Sequence, residues 1–304
     1  MIRRIPSSAA AGPARHTVRR SPRRLCLAAL TVAAMALLAG CGGTAGSPAG
    51  PATAANSPTR ATDTSKPPPP PPPEPKVDTC RNLSYGAIGR YSNTTPTTPC
   101  KKGHTAYTFA VAQLPTKVLV KGVGIGNPTI QDAASGLCHG AFPRFIGGDA
   151  RARAMSRLTV TYFLPQQKGF DRGAHWVRCD VIALQAKQVL SGLPMDPRHL
   201  LDHPRRLASY TVCSKGAPGA AGSMLVICSQ PHSYRAVAAL QLGPDKASYP
   251  SSAVTKVDGQ KRCQKLVSST VMAGGGYSYG WTYPTASDWQ HGQRFGYCWS
   301  KTTS

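Results

Sequence analysis

The chain has 304 residues, and its 36 Lys and Arg against 12 Asp and Glu give a formal net charge of +24. Its only glutamate is Glu74, so the paired carboxylates that glycan-cutting enzymes need are poorly provided for. The leading apolar run, Leu25 to Leu38, falls short of the roughly 20 residues that span a membrane.

Seven arginines (Arg3, Arg4, Arg15, Arg19, Arg20, Arg23 and Arg24) precede that run, the shape of a secretory signal over 1–40. Arg23-Arg24 matches a twin-arginine signal only in part. Leu38-Ala39-Gly40-Cys41 resembles the lipobox of bacterial lipoproteins. The resemblance implies that Cys41 is acylated and becomes the new N-terminus, anchoring the protein to the outer face of the cell membrane. Several acyl chains on one cysteine hold stably where one is marginal. An ordinary signal cleaved after a small residue is the alternative.

Residues 41–76 are dominated by Gly, Ala, Ser, Thr and Pro, a composition that cannot offset its ordering entropy by burial. They are expected to be a disordered tether. Its proline run, Pro67 to Pro73, is expected to be a stiff polyproline rod of about 20 Å.

From Val77 on, apolar alternation and cysteines appear. Cys26 leaves with the signal and Cys41 takes lipid, which leaves eight: Cys80, Cys100, Cys138, Cys179, Cys213, Cys228, Cys263 and Cys298. An even count in an exported chain indicates a disulfide framework. The eight divide into two sets of four. Each set opens with a close pair ending in Cys-x-x-x-His, "CKKGH" and "CSQPH". Each then has a lone mid-module cysteine and closes on a turn with glycine before the last cysteine, "FDRGAHWVRC" and "WQHGQRFGYC". Spacing permits three pairings within each set. First with second and third with fourth is favoured: Cys80–Cys100, Cys138–Cys179, Cys213–Cys228 and Cys263–Cys298. The pattern implies a tandem duplication of a unit of ~100 residues.

Period-two alternation predicts strands over 106–114, 157–165 and 175–184, and again over 234–242, 277–284 and 294–299. Helices are predicted over 127–142 and 252–270, each carrying a third cysteine. The fold class is therefore α+β: two tandem disulfide-bonded modules, 77–188 and 206–304, joined by 189–205. Each is expected to be a small, mainly antiparallel sheet with one main helix. Trp176 and Trp299, with the Gly173 and Gly292 turns before them, are read as structural.

The same residues resemble the septum formation domain of actinobacterial membrane proteins and lipoproteins. Its pattern of a first cysteine, Cys-x-x-x-His, a helical cysteine and a Tyr-Pro…Trp…Gly…Cys ending is met by Cys80, Cys100, His104, Cys138, Tyr162, Pro165, Gly173, Trp176 and Cys179. It is met again by Cys213, Cys228, His232, Cys263, Tyr283, Pro284, Trp289, Gly292, Arg294 and Cys298. The resemblance covers about 77–185 and 206–299. It departs from the family where Tyr107 and Tyr234 stand in place of an acidic residue, and where Phe170 replaces a tryptophan. It implies a part in cell division or envelope biology and no particular reaction.

Cys-x-x-x-His spacing also suits zinc, but disulfides account better for eight cysteines in an exported chain. His104 and His232 are read as packing beside the bridges, with a proton switch as the alternative. "GYSYG" at 276–280 matches a hydrolase nucleophile elbow, but only Asp288 and His291 follow, too near to complete a triad. Asp171 and Asp288 look like turn or helix-start residues. No catalytic residues, metal or cofactor are assigned.

Charge remains. The exported part carries 24 − 7 = +17, which attracts polyanions such as anionic lipids or wall polymers. No nucleic-acid recognition motif is present. Candidate contact residues are Lys101, Lys102, His104, Arg151, Arg153, His232, Lys261, Arg262 and Lys265. The chain is therefore expected to be a non-catalytic, lipid-anchored envelope protein that binds or scaffolds. The alternative is an unrecognised enzyme of wall or lipid metabolism.

Overall fold

The computed structural model describes residues 67, 69–270 and 279–302. Cys41, the signal segment and Gly276, Tyr277 and Ser278 of the Gly-x-Ser-x-Gly match lie outside the described residues, as does most of the tether. Pro69–Ser304 fall in one compact unit with its own cores and bridges.

The first sheet follows from the alternating segments of the first half. Its strands are β1 (Thr79–Arg81), β2 (Ala106–Gln113), β3 (Leu158–Phe163), β4 (Trp176–Ala186) and the short β5 (Val189–Ser191). They run antiparallel in the order β1-β2-β4-β3, with β5 on β4. A short helix, α1 (Tyr85–Ile88), lies between β1 and β2. The main helix, α2 (Pro128–Ile146), starts where the Asn127 side chain accepts from the Thr129 N–H and Pro128 occupies the first turn. It buries Ile130, Ala134, Cys138, Phe142 and Ile146, an i, i+4 stripe laid on one face of the sheet. The helix runs past Pro143, beyond the predicted end at 142, because Phe142 and Ile146 are held in the core. Then come α3 (Ala150–Ala154), α4 (Gln167–Phe170) and, after β5, α5 (Pro204–Ala208).

The second sheet has β6 (Val212–Lys215), β7 (Met224–Ile227), β8 (Tyr234–Gln241), β9 (Tyr279–Thr282) and β10 (Phe295–Lys301), in the order β7-β6-β8-β10-β9. Its helix is α6 (Gly259–Thr270), entered through a wider π-type turn at Ala253–Asp258, and α7 (Ala286–Gln290) precedes β10. The indole of Trp281 lies so close over Gly259 and Gly296 that a Cβ at either would sit 2.4 or 2.2 Å from it, so only glycine fits there. The Trp281 Nε1–H donates to the Thr255 carbonyl at 2.7 Å.

Cysteine registers match between the sheets. Cys179 pairs with Ala110 on one side and Tyr162 on the other. Cys298 pairs with Ala238 and Trp281. Both β2 and β8 bulge next to this point, at Phe109 and Val237. Gly173 (φ +94°) and Gly292 (φ +89°) make the same turn before β4 and β10. Leu114 N–H donates to His175 O and Leu242 N–H donates to Arg294 O, 2.9 Å in each case. Trp176 and Trp299 are buried, in line with a structural role.

Two expected boundaries shift. The tether was expected to reach 76, yet Arg172 Nε donates to Pro70 O at 3.3 Å, Pro72 packs against Gly169, and Gln113 bonds Glu74. An extended proline segment leaves its carbonyls free to accept such bonds. The joint at 189–205 is also part of the first core, where Leu193, Leu200 and Leu201 are buried. Beyond it, Val212 N–H donates to Met155 O and the Tyr297 hydroxyl to Ala154 O, each at 2.9 Å, so residues 154–155 pack on the second sheet.

Candidate functional site

The cysteine motifs come first. Cys80–Cys100, Cys138–Cys179 and Cys213–Cys228 are bridged. The fourth expected bridge is a correction: Cys263 and Cys298 stand as thiols, both fully buried. The Cys263 sulfur is turned to the Gly280 carbonyl, 3.5 Å away, and donates there. The hydrogen bond with Cys263, and then burial, push the Cys298 thiol far above the ordinary range, so it is protonated.

Each Cys-x-x-x-His folds alike. His104 Nδ1 lies 3.1 Å from Lys102 O and His232 Nδ1 lies 2.7 Å from Gln230 O. A carbonyl only accepts, so Nδ1 carries the proton in both rings. The His104 ring is 2 % exposed, with its Nε2 unpartnered among the described residues. Cys213, Cys228 and His232 bring their ligand atoms within 4.8 Å of one another. Both sulfurs are spent on the bridge, and a metal needs thiolates.

Candidate acids and bases are tied into local structure. Asp171 accepts from Gln167 Nε2 at 2.7 Å, and His291 Nδ1 bonds Ser287 O at 2.7 Å. Asp288 caps α7: its carboxylate accepts from the Thr285 hydroxyl and N–H, and these two bonds hold its pKa below the usual range. The Tyr107 phenol is pushed up by burial and by its hydrogen bond to Asp78.

One polar cluster is buried on β1, β2 and β4 of the first sheet. Arg178 pairs with Asp180 at 3.0 Å, the two side chains 3 % and 0 % exposed. The Thr108 hydroxyl donates to Asp180 Oδ1 at 2.7 Å, and Arg81 Nη1 donates to Thr108 Oγ1 at 2.7 Å. Burial, then the Arg178 charge, lower the Arg81 pKa. Arg178 lies 4.5 Å over the Phe163 ring. Sequence reading passed over this pair, because Arg-Cys-Asp within a strand looks like an ordinary alternation.

Of the candidate contact residues, Lys101 and Lys102 are exposed in the turn after Cys100, and Arg151 is exposed on α3. Arg153 is used locally, donating to the Gly147 and Gly148 carbonyls. These lie on other elements than the α6 set. Lys261, Arg262 and Lys265 are all exposed on α6, Lys261 and Lys265 opposite buried Gly259, Cys263 and Val267 and Arg262 on the flank of that stripe. Lys256, which the sequence reading did not single out, is exposed on the preceding turn. Val254, Val257 and Leu266 are exposed on the same segment, at 36 %, 50 % and 37 %. Asp258 is the one acid between 253 and 270. Part of the signal was available: the buried i, i+4 stripe of Gly259, Cys263 and Val267 turns Lys261 and Lys265 outward.

A family model described as septum formation matches residues 78–298. The chain belongs to the septum formation family. The match starts beside β1 and ends on Cys298, so it holds all eight cysteines of the folded part in one span across both sheets. Membership of the septum formation family suggests a role in cell division. No curated protein and no solved structure matches the chain.

Proposed function

We propose that this septum formation protein is a non-catalytic, lipid-anchored, extracytoplasmic binding module. It is built from two copies of one disulfide-bonded α+β unit, and the outer face of α6 holds it against anionic envelope components. The observation that carries this is that Lys256, Lys261, Arg262 and Lys265 are exposed along the same segment as exposed Val254, Val257 and Leu266. A basic helix face with apolar side chains suits the interface of an anionic membrane, where each cation near the surface contributes about 1 kcal/mol. The shared cysteine registers, bulges and glycine turns support duplication. The lipobox before a short apolar run supports the anchor. Local bonding of Asp171, Asp288 and His291 supports a non-catalytic reading.

Sedimentation of the Pro69–Ser304 unit with phosphatidylglycerol vesicles and with phosphatidylcholine vesicles, at low and high salt, tests the contact. Binding to the anionic vesicles alone, lost near 1 M salt where the Debye length is about 3 Å, is expected. Equal binding to both lipids overturns it. The anchor is tested separately by mass spectrometry of the mature N-terminus, where an unmodified Cys41 contradicts it.

A further inference from the structure

Taken as two copies of one unit, the halves serve as internal controls for each other. Cys80 pairs with Thr98, and Cys213 with Val226, each two residues before the second cysteine of its bridge. Between those points the chains part. In the second half the connection is the β6–β7 hairpin. In the first, residues 82–97 carry α1 and a loop laid over the sheet face opposite α2, with Leu83 and Ile88 on Phe163 and Ile182. Beside this cover lies an open cleft of about 590 Å³, within the roughly 300–1,000 Å³ of small-molecule sites.

The lining is unlike an ordinary apolar pocket. Ser84, Ser92, Asn93, Thr94 and Gln166 present hydroxyls and amides, Tyr91 an aromatic ring that is 48 % exposed, and Arg90 the one charge; no carboxylate takes part. The cleft is also held in shape. Leu164 N–H donates to Tyr91 O at 2.8 Å, the Thr161 hydroxyl to Ile88 O at 3.1 Å, and Arg81 Nε to Thr95 O at 3.2 Å. Asn93 Oδ1 accepts from Arg178 Nη2 at 3.2 Å and from Thr95 N–H at 3.1 Å.

Arg178 and Asp180 also separate the halves. At their registers the second sheet has Tyr297 and Trp299, so this fold closes without an ion pair. A buried ion pair is often no more stabilising than apolar residues of its size. Here it fixes an amide in the wall of the cleft, beside the segment that in the second half is the β6–β7 hairpin.

We infer that this cleft binds a saccharide carrying an acidic group. Hydroxyls and amides match the mixed donors and acceptors of sugar hydroxyls. The exposed Tyr91 ring offers an apolar face with a polar edge, suited to the C–H face of a sugar ring. Arg90, with no acid beside it in the lining, selects a carboxylate or phosphate substituent. A pre-organised lining lowers the ordering penalty of binding.

The test is saturation-transfer NMR on the full chain in a polyoxyethylene detergent, with glucuronic acid, glucose 6-phosphate, glucose and inorganic phosphate as probes. Both acidic sugars are expected to bind, glucose several-fold more weakly, and phosphate alone not at all. Arg90→Gln should bring the acidic sugars down to the level of glucose, and Tyr91→Ala should remove all three sugar signals. Both side chains are exposed, so both variants should keep the parent's circular dichroism, which is measured alongside. Absence of any sugar signal, binding of phosphate without sugar, or signals unchanged in both variants overturns the assignment. A variant stripped of the α6 cations should keep sugar binding, so this result stands apart from that of the vesicle experiment.

Discussion

Arg178 and Asp180 stand two residues apart on one face of β4, ion-paired at 3.0 Å and all but sealed from solvent. Removing one partner strands the other charge in the interior. Asp180→Ala is expected to destabilise the fold by about 3–5 kcal/mol, whereas replacing both residues with apolar ones of similar volume should be far milder. Urea unfolding of the single and double variants checks this; a double variant as unstable as Asp180→Ala contradicts it.

Cys263 and Cys298 predict a thiol count. Denaturation without reductant followed by alkylation should label these two and leave Cys80, Cys100, Cys138, Cys179, Cys213 and Cys228 unlabelled. In the native fold both should resist the reagent, being fully buried. Peptide mapping that finds neither labelled after denaturation contradicts the free pair.

Much of this architecture was legible. Alternation in 106–114 and 234–242 marked β2 and β8 to within a residue, since one face of each is buried and the period is two. The cysteine sets marked which strands and helices belong together. The cover over 82–97 was not legible, for a polar segment without periodicity carries no signal of what it will lie on. Nor was the state of Cys263, which depends on where its sulfur turns and not on spacing. Lys256 escaped notice because it lies on a π-type turn, where helical spacing of 3.6 no longer tells which side faces out.

Gly173 and Gly292 hold positive φ in open space, with nothing within 4 Å of a built Cβ. Alanine at either therefore meets backbone strain alone, about 1–2 kcal/mol. Thermal melts of Gly173→Ala and Gly292→Ala should show similar losses, and an unchanged melting point in both contradicts the shared turn.

Asp288 predicts a pH dependence. Its folded pKa is depressed by the bonds from Thr285, so the stability it contributes is present above the unfolded value of about 3.9 and is lost as pH falls through the folded value. Asp288→Asn should melt lower than the parent near neutral pH, and the two curves should converge in acid below about pH 3.9. A constant gap across that range contradicts the cap.

The α6 face bears the central claim. The measurement is vesicle binding by the Pro69–Ser304 unit carrying Lys261→Gln, Arg262→Gln and Lys265→Gln, compared with the parent on phosphatidylglycerol at low salt. At about 1 kcal/mol per cation, affinity should fall roughly a hundredfold while circular dichroism stays unchanged. A folded triple variant that binds as tightly as the parent contradicts the account.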